Sequence, residues 1–462
     1  MPFRAAQTAQ SEHLHQSLSL RDLVLAQVLC VVGSAWVGVA AKLGRSHLVF
    51  WLTAMALFYL PLAAVVIYLN ALMPLEGGLY QWAKAAYGQR LGFLTAWNLW
   101  VYAVIVMGAI TYMIPTEVAY FIGPKGAWIQ SNRAAALAIT LAAICGITVV
   151  AIRGLEMGKW LHNAGSAMIL LAYTILLSLP LWAMFHGSLP HFEPLPLQLP
   201  KFNMFSLAVF GQMTIGALSG FEYVAILAGE TRGAGRAIGR SVMISAPIIA
   251  VMFILGTSTV LAFTAGKPID LIGPIPQTMR AALSSTTVGL WIAPFGIFLL
   301  IGRAVASSSL IFTGLTRLPM TAGWDNLLPK WFAKLHPVRR TPVNSILFVA
   351  GLVAVIVVLS TQGVGAQEAN QLLGTASVAL YGIAYIALFA IPLFGLKTLR
   401  AQLPPWLKVV SAAGLFASAI SLVITVYPIV DVVSRTAFAA KILGVIFIAN
   451  AAGLLIYRSA RK

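Results

Sequence analysis

The sequence predicts an all-α polytopic membrane protein with twelve transmembrane helices. Of its 462 residues, 60% are hydrophobic and 9% charged, against roughly 25% charge in an average soluble domain. The apolar residues fall into twelve runs of spanning length, and twelve spans of roughly 20 residues would use about 240 of them. These runs are continuously apolar, without the polar-in alternation a transmembrane strand needs, so helices are preferred to a barrel. No segment has the length and polarity of a separate water-soluble catalytic domain.

In order, the spans are read at about 23–41, 48–73, 92–121, 134–152, 160–185, 203–229, 239–265, 287–316, 343–361, 371–396, 405–430 and 437–457. The first follows a polar stretch, 1–22, and lacks a small-residue cleavage site at its end, so it reads as a retained span rather than a signal peptide. Cys30 and Cys145 both lie in apolar runs, which leaves neither a disulfide framework nor a CxxC metal site.

Lys and Arg total 30 against 12 Asp and Glu. Sorted by loop or span end, 20 of the basic residues fall on one side of the membrane and 9 on the other; only Arg303 lies deep within a span. Because positive charge is retained in cytoplasmic loops, both termini are expected in the cytoplasm of a multi-pass cell membrane protein. The scattering of these charges argues against nucleic-acid binding, which wants a clustered basic face with stacking aromatics.

The longest external loop, His186 to Phe202, carries Pro190, Pro194, Pro196 and Pro200 and links spans 5 and 6. If residues 23–185 (spans 1–5) and 203–396 (spans 6–10) are two repeats, the odd number of spans in each inverts one relative to the other. The expected architecture is thus a 5+5 inverted repeat with spans 1 and 6 broken. Two extra C-terminal helices (405–457) and a short cytoplasmic tail (458–462) would follow.

The breaks are read from glycines at matching depths. Span 1 contains Gly33, Ser34, Ala35, Trp36 and Val37; span 6 contains Gly216, Ala217, Leu218, Ser219 and Gly220, with Glu222 just beyond. Paired glycine-interrupted spans are the best sequence pointer to a transporter site. An unwound turn frees amides and carbonyls that lipid cannot satisfy, so a cavity must. A half-helix starting near Trp36 would aim its positive end at a carboxylate. The competing reading is that these glycines only let helices pack closely.

Four stretches carry a family resemblance. The run from Val32 to Gly38 resembles the broken first helix of amino acid permeases in the amino acid, polyamine and organocation superfamily. Pro74 to Trp82 resembles the segment after helix 2. Ser219 to Glu222, followed by Gly229 and Glu230, resembles the helix 6 break and exit. Arg317 to Pro329, with His336-Pro337 and Thr341-Pro342, resembles the connection from helix 8 to helix 9. The resemblance implies a leucine-transporter-like fold and alternating access around a central site. It covers about residues 23–361. Bulky Trp36 in the helix 1 break departs from the family pattern, as do Ala234 and Gly239 where prolines are common. Met168 stands where proton-coupled relatives often carry a helix 5 lysine.

Three ionisable groups fall inside spans, where a charge costs at least ~2.5 kcal/mol. Glu222 is expected either to carry or sense a proton or to hold the helix 6 break to a neighbouring helix. Arg303 is expected either to act as a fixed tether in place of the missing helix 5 lysine, paired with a helix 1 carbonyl or with Glu222, or to snorkel or bond carbonyls for structure alone; Ser307 lies one turn on along the same face. Glu117, after Pro115 and near the outer end of span 3, is expected at the rim or at a helix kink. Trp36 and Tyr102 are the aromatics expected at the pocket. The histidines do not cluster, so no metal site is expected. The run from Gly229 to Arg236 lacks the lysine-hydroxyl ending of a phosphate loop.

The expected function is secondary transport of amino acids or related amines across the cell inner membrane, by proton symport or by exchange for a counter-substrate. A polyamine permease is the nearest alternative; a channel or transporter-like sensor ranks lower. No cofactor is expected, no nucleophile-base pair suggests an enzyme, and the sequence is silent on oligomeric state.

Overall fold

A serine and an aspartate start the first membrane helix. The Ser19 side chain accepts from the Asp22 amide, while Asp22 Oδ2 accepts from the Ser19 amide at 2.9 Å, a reciprocal capping box. Helix α1 (Leu20–Val31) ends where Val32 and Gly33 turn extended, and α2 (Ser34–Ala41) resumes at an angle of 46°. The computed structural model describes residues 18–74, 77–226, 231–264, 267–284, 286–321, 331–332, 334–337 and 341–460.

Helix α3 (Gly44–Leu72) carries a π-helical turn at Met55–Tyr59 just before Pro61. A short α4 (Leu79–Tyr87) leads through Gly88, at φ +86°, into α5 (Gln89–Ile122). Helices α6 (Arg133–Arg153) and α7 (Leu155–Phe185) follow, then the proline-rich loop. Span 6 comprises α8 (Met204–Leu218) and α9 (Phe221–Ile226), interrupted at Ser219 and Gly220. The remaining helices are α10 (Ala234–Thr264), α11 (Pro274–Ala282), α12 (Gly289–Thr321), α13 (Val343–Ser360), α14 (Ala366–Phe394), α15 (Trp406–Ile424) and α16 (Arg435–Ser459).

Among the described residues, eleven helices are long and apolar enough to cross a membrane, and the bent pair α1–α2 makes a twelfth span. The expected all-helical, twelve-span membrane fold is therefore observed. The largest boundary difference is at span 11, which ends at Ile424 rather than near 430. Residues 426–430 remain apolar, but Pro428 cannot continue a helix. Two nine-residue helices were not expected: α4, within the motif after span 2, and α11, in the loop between spans 7 and 8; single turns at Ala127–Ser131 and Lys397–Arg400 also lie between spans. Residues 1–17, Leu75, Glu76, 227–230 and 322–330 lie outside the described residues, and with them parts of the N-terminal segment and of three family motifs.

The spans with the most buried surface are α5, span 6 and α12, each 72% buried over its most apolar stretch, whereas α16 is 17% buried. Helix α5 packs on α12 and α14, α7 packs on α12, and the broken α1–α2 pair packs against α7, α8, α10 and α12. This places both breaks at the centre of the bundle. The fit is close where small residues meet. A Cβ on Gly302 of α12 would lie 2.4 Å from Met168 Sδ of α7, and one on Gly165 of α7 would lie 2.1 Å from the Ala306 side chain.

Candidate functional site

The two breaks open onto one cavity of about 110 Å³. On the scale where roughly 10–15 Å³ admits one water, this is room for a small solute of amino-acid size. Its wall includes Gly33, Ser34, Ala35 and Trp36 from span 1, Gly216 and Ser219 from span 6, Tyr102 from α5, and Arg303 and Ser307 from α12. These nine residues, all expected from the sequence, are brought together.

Five expected residues are not on the wall. Val37 is fully buried and faces α10, in contact range of Gly256. Ala217 and Leu218 are fully buried within α8. Span 6 unwinds only at Ser219 and Gly220, later than the run of five suggests, because Gly216 serves helix packing. Gly220, at φ +122°, donates its amide to the Tyr385 hydroxyl at 3.1 Å. Glu222 is fully buried and accepts hydrogen bonds from Tyr381 and from Tyr385, whose hydroxyl lies 2.9 Å from both carboxylate oxygens.

The half-helix of span 1 also begins earlier than expected. Ser34 is its first residue, so the amides without an intrahelical partner are those of Ser34, Ala35 and Trp36. Both Gly33 and Ser34 reach the cavity wall, and Ser34 Oγ is buried without a hydrogen-bond partner. The positive end of α2 is thus presented to the cavity.

Arg303 is 2% exposed, lines the cavity, and has its Nε buried without a partner. It does not pair with Glu222, contrary to one expectation; the tyrosines of α14 already occupy that carboxylate. Its electrostatic neighbours are Glu117 and Tyr173, and neither side chain forms a salt bridge with it. Glu117 is not at the rim. It is 1% exposed, with Oε2 unpartnered, because α5 continues another turn beyond it to Ile122.

The aromatic side of the site is continuous. Tyr102 stacks on Tyr381 with centroids 3.7 Å apart, and Tyr381 stacks on Tyr385 at 4.4 Å. The chain of rings runs from the cavity wall to Glu222. Tyr223 of α9 donates to the Leu310 and Ile311 carbonyls at 2.7 and 3.1 Å, tying the half-helix after the second break to α12.

Helix α11 caps one end of the site. Asp270 Oδ1 accepts from the amides of Ile272 and Gly273 and from Gln367 Nε2 at 2.7 Å, and Oδ2 accepts from Tyr120 at 3.0 Å. Arg280 donates to the Tyr120 and Phe121 carbonyls at the end of α5; its partial burial lowers the guanidinium from its usual value. Lys42, just past α2, donates to the Ile429 carbonyl at 2.9 Å. Burial lowers its amine from the usual value, and nearby Asp431 opposes that.

The carboxamides of Gln212, Gln367, Asn370 and Gln371 also line the cavity, and the sequence reading missed them. A signal was present for Gln212, a polar group in an otherwise apolar run, where a cavity is the cheapest partner; Gln367, Asn370 and Gln371 fall in the polar stretch at the start of span 10 and carried none.

A profile of the amino acid permease family matches residues 18–448, nearly the whole chain. The chain belongs to the amino acid permease family. An uncharacterized transporter of Legionella pneumophila is 24% identical over 82% of the permease and 81% of its own length. A probable agmatine/putrescine antiporter of Lactococcus lactis is 23% identical over 87% and 84%. An aspartate/glutamate permease of Lactococcus lactis is 23% identical over 70% and 68%. The permease is therefore an integral membrane transporter of amino acids or amines.

Proposed function

We propose that this permease exchanges amino acids by alternating access, with the substrate carboxylate on the amides of Ser34, Ala35 and Trp36. The ammonium would meet carbonyls freed at the ends of α1 and α8. The observation that carries this reading is the convergence of both interrupted spans on one cavity of amino-acid size. Gly33, Ser34, Ala35, Trp36, Tyr102, Gly216, Ser219, Arg303 and Ser307 are the proposed contact residues.

Exchange is favoured over proton symport by two features. Arginine hardly deprotonates, so Arg303 would be a fixed positive charge and not a proton carrier, consistent with Met168 packing on the adjacent Gly302 where a lysine is otherwise expected. Glu222, held by two tyrosines away from the wall, would brace the span 6 break against α14. Residues 23–185 and 203–396 are proposed as the two inverted repeats that rock against one another. Both termini are placed in the cytoplasm and the chain in the cell membrane.

The test is uptake and counterflow of labelled amino acids and polyamines in proteoliposomes, with and without a pH gradient. Stimulation by internal substrate alone supports exchange. Uptake driven by the pH gradient would instead establish symport, and a response confined to polyamines, the chemistry named for one relative, would replace amino acids as substrates.

A further inference from the structure

The charges around the central cavity are one-sided. Among the described residues on its wall, Arg303 is the only one bearing a full charge; the other polar groups are hydroxyls, carboxamides, the Cys30 thiol, the Trp36 indole and backbone. The acids nearby are occupied elsewhere. Glu222 accepts from Tyr381 and Tyr385, Asp270 accepts from Tyr120, Gln367 and two amides, and Glu368 accepts from the Val433 amide. Glu117 lies within electrostatic range of Arg303, but it is off the wall and forms no salt bridge with it.

Two anion-binding devices therefore face one cavity. One is the start of α2, with its unpaired amides and the buried, unpartnered Ser34 hydroxyl. The other is a guanidinium held at 2% exposure with an orphan Nε. Burying a charge without a partner is unfavourable, and a guanidinium fork matches a carboxylate in two parallel hydrogen bonds. We infer that the cavity selects an acidic amino acid. The α2 amides hold its α-carboxylate, Arg303 holds its side-chain carboxylate, and the ammonium takes carbonyls and carboxamide oxygens of the wall. A polyamine would place ammonium groups beside Arg303 with no wall carboxylate to offset the repulsion. This assignment rests on the exchange reading above and names its substrate.

The decisive comparison is glutamate against glutamine, and aspartate against asparagine, as competitors of counterflow in proteoliposomes, with leucine, arginine and putrescine alongside. The acids should compete better than their amides by on the order of tenfold or more, as a site built for a polar group rejects the analogue lacking it. R303Q should collapse that ratio and R303K should recover part of it. Thermal stabilisation of detergent-solubilised protein by glutamate over glutamine gives the same ratio without requiring transport. Equal competition by acid and amide, or an unchanged ratio in R303Q, overturns the inference. So does a cycle in which R303Q and E117Q each lose activity and the double variant regains it with the ratio intact, since Arg303 would then serve Glu117. If leucine or arginine exchanges while the acids do not, only this inference falls. If nothing in the panel exchanges, the exchange reading falls with it.

Discussion

The indole of Trp36 lies against Gly216, so close that a Cβ at Gly216 would sit 2.1 Å from the ring. The same ring covers Gly33, where a Cβ would lie 2.7 Å away. One side chain from the first break thus occupies space left by a glycine in span 6, which explains how so bulky a residue is accommodated and couples the two spans. Gly216→Ala should displace the indole into the cavity, with an overpacking cost of about 1–3 kcal/mol. Uptake should fall, and Trp36→Leu in the Gly216→Ala background should restore part of it. Restoration is read from initial rates in proteoliposomes; no recovery in the double variant would mean that Gly216 acts otherwise.

The second break is braced by Tyr385, whose hydroxyl accepts from the Gly220 amide and donates to Glu222. Tyr385→Phe leaves both groups buried without that partner, a cost of about 1–3 kcal/mol, and should lower the unfolding temperature in detergent. Glu222→Gln keeps an acceptor for the tyrosines, so the pH profile of uptake should match the wild type if Glu222 braces the break. Loss of pH dependence in that variant would return Glu222 to the role of proton carrier.

Gly220 itself is irreplaceable on backbone grounds. Its φ of +122° falls in a region that side-chain-bearing residues occupy at a cost of about 1–3 kcal/mol, and Val31 of α1 stands 3.0 Å from where a Cβ would point. Gly220→Ala should abolish transport while leaving membrane insertion intact, measured by uptake against the amount of protein recovered in vesicles.

The cap formed by α11 depends on Arg280. Its three hydrogen bonds to carbonyls at the end of α5 also place a cation at a helix C-terminus, where it is favoured. Arg280→Ala should weaken the cap by about 1–2 kcal/mol and speed efflux of preloaded substrate. Equal efflux from variant and wild type would show that the cap holds without this arginine.

Helix α16 is mostly surface, yet two buried contacts attach it to α5. Asn98 Nδ2 donates to Asn450 Oδ1 at 2.8 Å, and Trp97 Nε1 donates to the Ala449 carbonyl at 2.7 Å over Gly453. Asn450→Leu removes the donor to Asn98 Oδ1, leaving Asn98 Nδ2 its bond to the Leu94 carbonyl, and should destabilise the protein by about 1–3 kcal/mol, visible as a lower unfolding temperature with little change in substrate selectivity.

Hydropathy is a local property, so the sequence by itself determined the all-helical membrane class, the twelve spans and the two interrupted helices to within a few residues. Glycine and serine in mid-span were enough to find the cavity, because lipid cannot satisfy an unwound turn. Partners are not local, and there the tertiary structure decided. That Glu222 meets two tyrosines some 160 residues away, that Arg303 forms no salt bridge among the described residues, and that Gly216 makes room for Trp36 all follow from which helices pack together. Hydropathy alone says that a buried charge needs a partner. Only packing shows that Glu222 has its partners within the chain, while the cavity beside Arg303 leaves room for one from outside.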